Sequence, residues 1–396
     1  MKRILFVDDE ANVLDGLRRM LRSKRGDWEM EFSESGAAAL VLLEQARYDV
    51  VVSDMKMPGM DGAELLKIVQ EKHPHTVRII LSGHSEKEAL LRSVRCTHQF
   101  VSKPCDADFL RGTLERAFAL RDRLGGSSVR ELVAKLEAIP AVPSLYRRVM
   151  TELESPNCSL RLIGDLIEKD AGMSSSLLKL VNSAYFGLPS RISSVQGAVS
   201  FLGVETVTAL ILGVPLFHEC GDVGIPGYSV EAVWQRSVMA AAGSKVIAQS
   251  ERLDKRDCDD AFLAGLLHNI GQIVLVTSLR GQYAKVLQKA ASATSLSACE
   301  REVFGTTHGE IAGYLLGLWG LPDPVVDAVA FHDEPLIAPN GHLTTRTIVR
   351  AATLLVREQA GQPTPLDAEA EAAGVSAHLD GWRRCTAEIL QAEVPS

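Results

Sequence analysis

Tyr48-Asp49-Val50-Val51-Val52-Ser53-Asp54 is a short apolar, β-branched run that ends in a carboxylate. It reads as a buried strand that delivers a charged side chain to the edge of a sheet. Two other runs end in the same way: Ile4-Leu5-Phe6-Val7 closes on Asp8-Asp9, and Phe100-Val101-Ser102 closes on Lys103-Pro104. In an open parallel sheet the carboxyl ends of the strands converge on one crevice, so three carboxylates and one ammonium are expected to meet there. Outward from this run, strand and helix patterns alternate: strand 3–7, helix 11–23, strand 28–33, helix 36–46, strand 49–53, helix 62–71, strand 77–81, helix 85–95, strand 99–102 and helix 106–122. Five such units predict a doubly wound α/β domain over 1–122, with a five-stranded parallel sheet.

Gly125-Gly126-Ser127-Ser128 breaks the alternation and marks 123–128 as a short linker. Beyond it the strand signals stop and helical periodicity takes over, interrupted at Pro140, Pro143, Pro156, Gly187-Leu188-Pro189, Gly221, Gly224 to Gly227, Leu321-Pro322 and Pro335. The region 129–396 therefore reads as all-α. It closes on the Gly/Pro/Ala-rich stretch 361–374 and an amphipathic run from Val375 to Ala392, to which the sequence assigns no role.

A chain of 396 residues exceeds what one core usually organises, which supports two domains. A net charge of -8 and the lack of a basic recognition helix argue against a DNA-binding regulator and against any nucleic-acid partner. Seven scattered cysteines without a C-x-x-C spacing fit reduced thiols. Met1-Lys2-Arg3 leads directly into a strand, unlike a signal peptide, and no apolar run is expected to approach the roughly 20 residues of a membrane span. The expected location is the cytoplasm, with no membrane partner.

Asp8, Asp9 and Asp54 would repel one another unless a cation compensates, and an all-oxygen site suits magnesium. Asp54 is then the expected nucleophile for a phosphoryl group, Lys103 the cation that neutralises the transferred oxygens, and Ser82 a hydroxyl donor to one of them. These residues resemble the receiver domain of two-component response regulators, a flavodoxin-like fold, across all of 1–122. The resemblance implies Asp54 as phospho-acceptor, Asp8 and Asp9 as the metal-binding acid pair, Ser82 and Lys103 as phosphate contacts and Phe100 as the aromatic switch. The loop Met57-Pro58-Gly59-Met60-Asp61-Gly62 also fits that family, and the resemblance implies a cis Lys103–Pro104 bond.

The helical half is similar to the HDOD domain. The resemblance rests on Leu178 to Ser183 (Leu-x-x-x-Asn-Ser), on Ile139-Pro140-Ala141-Val142-Pro143 and on Ala261 through His268. HDOD is related to the metal-dependent HD phosphohydrolases, whose metal is held by a first His, a His-Asp pair and further His and Asp ligands. Here the pair reads His268-Asn269, and the first-ligand position, in Trp234-Gln235-Arg236-Ser237, falls on Arg236, a fixed cation. His308 opens a helix behind a Thr307-x-x-Glu310 capping box, which makes Glu310 a cap, and His332-Asp333 stands where a hydrolase places paired histidines. His268, His308 and His332 are expected as hydrogen-bonded histidines in a degenerate site, with no metal in the helical half; a residual site of His268, Asn269, His308 and His332 is the competing reading. His218 and His342 have no motif support.

The resemblance as a whole implies a non-enzymatic response regulator. A histidine kinase or phosphotransfer protein would supply the phosphoryl group, a downstream protein would bind the helical domain, and a homodimer is one expected assembly. The alternative is a receiver-controlled metal-dependent phosphohydrolase of nucleotides or cyclic dinucleotides.

Overall fold

The computed structural model describes residues 2–82, 97–103, 107–123, 129, 132, 144–153, 159–169, 173–174, 177–178, 181, 192–204, 206–208, 210–212, 223–290 and 295–391. The expected helix 85–95, Pro104, most of the linker, the Ile139–Pro143 motif, Asn182-Ser183 and His218 lie outside these residues, as do the side chains of Ser82 and Phe100. The chain divides into two compact units, one holding the N-terminal α/β elements together with Tyr314–Leu321 and one holding the other helices.

The α/β unit is built from β1 (Lys2–Val7), α1 (Ala11–Met20), β2 (Trp28–Ser33), α2 (Gly36–Gln45), β3 (Val50–Asp54), α3 (Gly62–Lys72), β4 (Val77–Ser82), β5 (Gln99–Ser102) and α4 (Ala107–Arg123). The strands form one parallel five-stranded sheet in the order β2-β1-β3-β4-β5. The order reverses beside β1, and in such sheets the crevice at the reversal is where ligands bind. Ile4, Leu5, Val50, Val51, Ile79 and Ile80 are fully buried. Their continuous apolar pattern is that of strands covered on both faces. The register sets Val7 opposite Ser53 and Asp54 opposite Leu81, which brings the residues that follow β1 beside the end of β3. The N-terminus of α3 is fixed by a capping box in which Asp61 and Glu64 exchange bonds with each other's backbone N–H.

The helical unit comprises α5 (Ser144–Leu153), α6 (Leu160–Glu168), α7 (Val195–Leu202), α8 (Val230–Ser250), α9 (Lys255–Leu267), α10 (Ile270–Ser278), α11 (Arg280–Ala290), α12 (Leu296–Phe304), α13 (His308–Leu318), α14 (Asp323–Ala330), α15 (Thr345–Gln359), α16 (Leu366–Ala372) and α17 (Leu379–Gln391). Helix α8 is the central member and packs against α9, α15 and α17. The apolar run Lys255–Ser278 has the length and composition of a membrane span, a feature the sequence reading did not count. Within the unit it is core, with 83% of its most apolar window buried.

The amphipathic run at the C-terminus belongs to this core. Trp382 is fully buried among Ile247, Ile348, Leu355 and Leu366, and its Nε1 donates to Glu251 Oε1 at 2.6 Å. Truncating such a side chain leaves a cavity and takes one of the two donors from Glu251 Oε1, which keeps His378 Nδ1 at 2.8 Å. Trp382→Ala is expected to lower stability by about 3–5 kcal/mol, measured as a shift of the urea midpoint; an unchanged midpoint would show that the last helix adds nothing to the core.

Candidate functional site

At the carboxyl edge of the sheet, Asp8 and Asp54 are buried and point at one cation. Lys103 Nζ donates to Asp8 Oδ2 at 2.7 Å and also bonds to Asp54 Oδ1. The remaining oxygens are held by backbone: Asp54 Oδ2 accepts from Lys56 N at 2.7 Å, and Asp8 Oδ1 accepts from Glu10 N at 3.0 Å. Burial pulls the Lys103 ammonium down, but its hydrogen bonds and charge contacts with Asp54 and Asp8 outweigh that and raise its pKa above the ordinary lysine value. Asp9 is exposed and is not grouped with the other two carboxylates at metal-holding distance. The backbone places Ser82 at the end of β4, opposite Ser102, and Phe100 opposite Ile80.

A second cluster forms in the helical unit, where α9, α12, α13 and α14 end. His268 caps α9, His308 opens α13, and His332 follows α14. All three are buried. The His268 and His332 rings stand edge to face at 4.8 Å between centroids, and His308 and His332 at 5.0 Å. Close backbone approach makes this possible. A Cβ on Gly271 would lie 1.9 Å from the His308 carbonyl oxygen, so only glycine lets α10 reach the start of α13. On Gly309 a Cβ would lie 2.7 Å from the Ala330 oxygen, and this second glycine seats α13 against the end of α14.

Each imidazole is oriented by an acceptor at its Nδ1. His268 Nδ1 donates to the Gly265 carbonyl at 2.6 Å, His332 Nδ1 to the Val329 carbonyl at 2.8 Å, and His308 Nδ1 to Glu300 Oε2 at 2.7 Å. With Nδ1 carrying the proton, each Nε2 presents a lone pair. The His308 and His332 Nε2 atoms face one another at 3.2 Å. Glu300, fully buried, also accepts from His308 N at 2.8 Å and from the Tyr283 hydroxyl at 2.9 Å. Burial opposes charge on His308, yet the Glu300 carboxylate outweighs it and raises the imidazole pKa. For His268 and His332 burial wins and holds the rings neutral, His268 well below the ordinary value.

Asp333 lies at the mouth of the cluster, partly exposed. Its Oδ2 is 3.9 Å from His308 Nε2 and its Oδ1 is 3.8 Å from His332 Nε2, with Ser297 Oγ and Arg350 also on the carboxylate. Burial would raise its pKa, but His332, His308, the Ser297 bond and Arg350 hold it well below the usual carboxylate range. Beside it opens a cavity of about 480 Å³ lined by Ser297, Arg301, Thr307, His332 and Asp333.

Arg236 is exposed, and the residue of α8 that meets the His268-Asn269 pair is the buried Ser237, whose Oγ accepts from Asn269 Nδ2 at 3.1 Å. Asn269 Oδ1 in turn accepts from Gln272 Nε2 at 2.8 Å, so the amide is engaged at both ends. Glu310 is a cap as expected: its Oε2 accepts from Thr307 N and its own N–H bonds Thr307 Oγ1. Glu300, Tyr283, Gln272 and Ser297 were not singled out from the sequence; Asp333 was named only beside His332.

Matches to known families follow the same division. Residues 4–115 match the response regulator receiver domain and residues 139–335 the HDOD domain. The chain is a receiver–HDOD protein. An uncharacterized protein of Treponema pallidum (strain Nichols) is 26% identical over 241 residues, 59% of this chain and 45% of that one. The regulatory protein AtoC of Escherichia coli (strain K12) is 36% identical over 124 residues, 31% of this chain and 26% of that one. This chain thus spans less than half the length of these curated relatives. The crystal structure of an HDOD domain protein of unknown function from Geobacter sulfurreducens shares the fold, with a TM-score of 0.53 at 21% identity, over 69% of this chain and 96% of that one.

In the HDOD domain the Glu300 carboxylate is the anchor of the histidine cluster. Glu300→Ala leaves the Tyr283 hydroxyl and two His308 N–H groups without their buried partner. The expected loss is about 3–5 kcal/mol, read from urea denaturation, and a loss under about 1 kcal/mol would mean that the network contributes little.

Proposed function

We propose that this protein is a response regulator that accepts a phosphoryl group on Asp54 and signals through its HDOD domain by protein contacts. The observation that carries the reading is the Lys103 ammonium held between the buried carboxylates of Asp8 and Asp54 at the carboxyl edge of the sheet. The space between the two acids already accepts a cation, and the donors are all oxygen, so the residues fit magnesium: Asp8 and Asp54 would hold it, with Asp9 at the rim. When bound, the ion supplies the positive charge that lets an anionic phosphoryl group approach.

Asp54 is backed by the Lys56 N–H on one oxygen, which leaves the oxygen now bonded to Lys103 to attack. The attack forms an aspartyl O–P bond as the N–P bond of a phosphohistidine breaks, the donor being a histidine kinase or phosphotransfer protein. Lys103 then exchanges its bond to Asp54 for the new phosphate oxygens and keeps its bond to Asp8. Ser82 and Phe100, at the ends of β4 and β5, are the residues proposed to report the change, through the face formed by 85–95 and 99–102. A shift in population of that face would be read by the HDOD domain, by a second copy of the chain, or by a downstream protein. The proposed boundaries are 1–122 for the receiver and 129–396 for the HDOD domain with its C-terminal helices, in a cytoplasmic protein.

The HDOD domain supports a non-catalytic output at two residues. Asn269 brings no negative charge and has both ends of its amide engaged within the protein, and Arg236 supplies no ligand. The second reading, a metal-dependent phosphohydrolase of nucleotides or cyclic dinucleotides, is favoured by the convergence of His308, His332 and Asp333 beside an open cavity. Turnover of a cyclic dinucleotide by the purified chain, lost in His308→Ala, would establish it.

Acetyl phosphate with magnesium is expected to add one phosphoryl group per chain by intact-mass spectrometry, and Asp54→Ala to add none. A folded wild-type chain that stays unmodified would sink the acceptor reading.

A further inference from the structure

We infer that the HDOD domain binds one divalent transition-metal ion of the zinc class through His308 Nε2, His332 Nε2 and the Asp333 carboxylate, with a remaining coordination position open to the cavity beside Asp333. The set excludes Asn269 and Arg236, whose identities argue against a metal. The first ground is geometric. Two imidazole nitrogens bound to a tetrahedral zinc at ~2.0–2.1 Å lie about 3.3–3.4 Å from each other. The two Nε2 atoms here are 3.2 Å apart, and both Nδ1 protons are already donated, His308's to Glu300 and His332's to Val329. A single positive centre between the two nitrogens, a shared proton or a metal ion, satisfies both lone pairs at this distance.

The outer contacts supply the second ground. Metal-bound histidines almost always donate their other N–H to a carboxylate or backbone carbonyl, which fixes the tautomer and strengthens the ligand. His308 and His332 have one of each. Glu300 is itself held by the Tyr283 hydroxyl, so the His308 orientation is set two contacts deep. Asp333 oxygens stand 3.8 Å and 3.9 Å from the two nitrogens, and the carboxylate is steadied by Ser297 and Arg350. The two contacts are made by different oxygens, so the carboxylate must turn to bring one of them to ligand distance of an ion between the imidazoles. The three ligand atoms lie within 4.8 Å of one another, and they are the metal-capable group found among the described residues.

Charge balance agrees with a divalent ion. Asp333 and Glu300 contribute two negative charges to a buried site, against which Arg350 is shared with Glu369 at 2.6 Å. His332 and Asp333 line both the ligand set and the cavity of about 480 Å³, so the open position faces space large enough for water or a small anion. Soft thiolate is missing from the set and two imidazoles are present, which favours zinc, cobalt or nickel over magnesium.

The test uses the full chain in excess magnesium, which occupies carboxylate sites without competing for imidazole. Cobalt(II) titration is expected to give a visible d–d band that saturates at one ion per chain and is displaced by zinc. His332→Gln and Asp333→Asn should each weaken binding by at least tenfold, comparable with the 10–100-fold cost of losing an outer contact, while His342→Gln, at an exposed histidine outside the ligand set, should leave it unchanged. Asp333 is partly exposed, so the Asp333→Asn chain is expected to stay folded by circular dichroism and to give a clean reading if His332→Gln does not. Absence of a saturating band, or equal affinity in folded Asp333→Asn and wild type, would overturn the site. The result does not depend on phosphorylation, so it fails or succeeds separately from the acceptor reading.

Discussion

Negative charge taken out of water must be met by donors fixed in place, and both units of this protein are organised around that requirement. In the receiver, two buried carboxylates at the sheet edge share one ammonium. In the HDOD domain, one fully buried carboxylate, Glu300, takes two N–H groups from His308 and a hydroxyl from Tyr283. Removing one partner from such a group costs several kcal/mol because the other is left uncompensated. The elements that carry the partners are therefore tied together: β1, β3 and the end of β5 through Lys103, and α11, α12 and the first turn of α13 through Glu300.

The difference between the two arrangements lies in what can replace the compensating group. Lys103 is an ammonium on a long stem, a quarter of its side chain exposed, bonded to Asp8 and Asp54 at the open edge of the sheet. Glu300 and His308 are sealed, and their exchange partner is on the far side of the imidazole, at Nε2. The receiver's compensating cation is thus open to solvent, whereas the carboxylate of the HDOD domain is closed off and holds a ring still.

Much of the receiver was legible because its signals are local. Asp8, Asp54 and Lys103 each end an apolar strand, and the parallel sheet does the rest. Asp9 was grouped with them and lies exposed, since successive side chains at a strand end point to opposite sides. The histidine cluster was less legible. His308 and His332 are 24 residues apart and meet only because the ends of three helices coincide. Glu300 sits in Glu300-Arg301-Glu302, a sequence that reads as a solvated helix face, and nothing local marks it as buried. Arg236 and Ser237 are neighbours on α8, and one residue on a helix is a turn of about 100°, so the hydrogen bond from Asn269 goes to Ser237. The C-terminal run was recognised as amphipathic, but its apolar stripe has no partner in the sequence. The partner is the α8–α15 core that receives Trp382.

Substitution at a related catalytic motif does not by itself empty the site. Asn269 stands at the acid's place within a His-Asp-like pair, and its amide is bonded to Ser237 and Gln272. The histidines downstream keep their oriented Nε2 atoms, and the negative charge the pair lacks is present at Asp333. A carboxylate at the mouth of a cavity is held by fewer constraints than one inside a helix pair, so it can serve an ion or a ligand without rearranging the core. A hydrolytic centre requires a full set of charged ligands, whereas a binding centre requires only two fixed imidazoles and one adjustable acid, so a helical scaffold can meet the second requirement without the first.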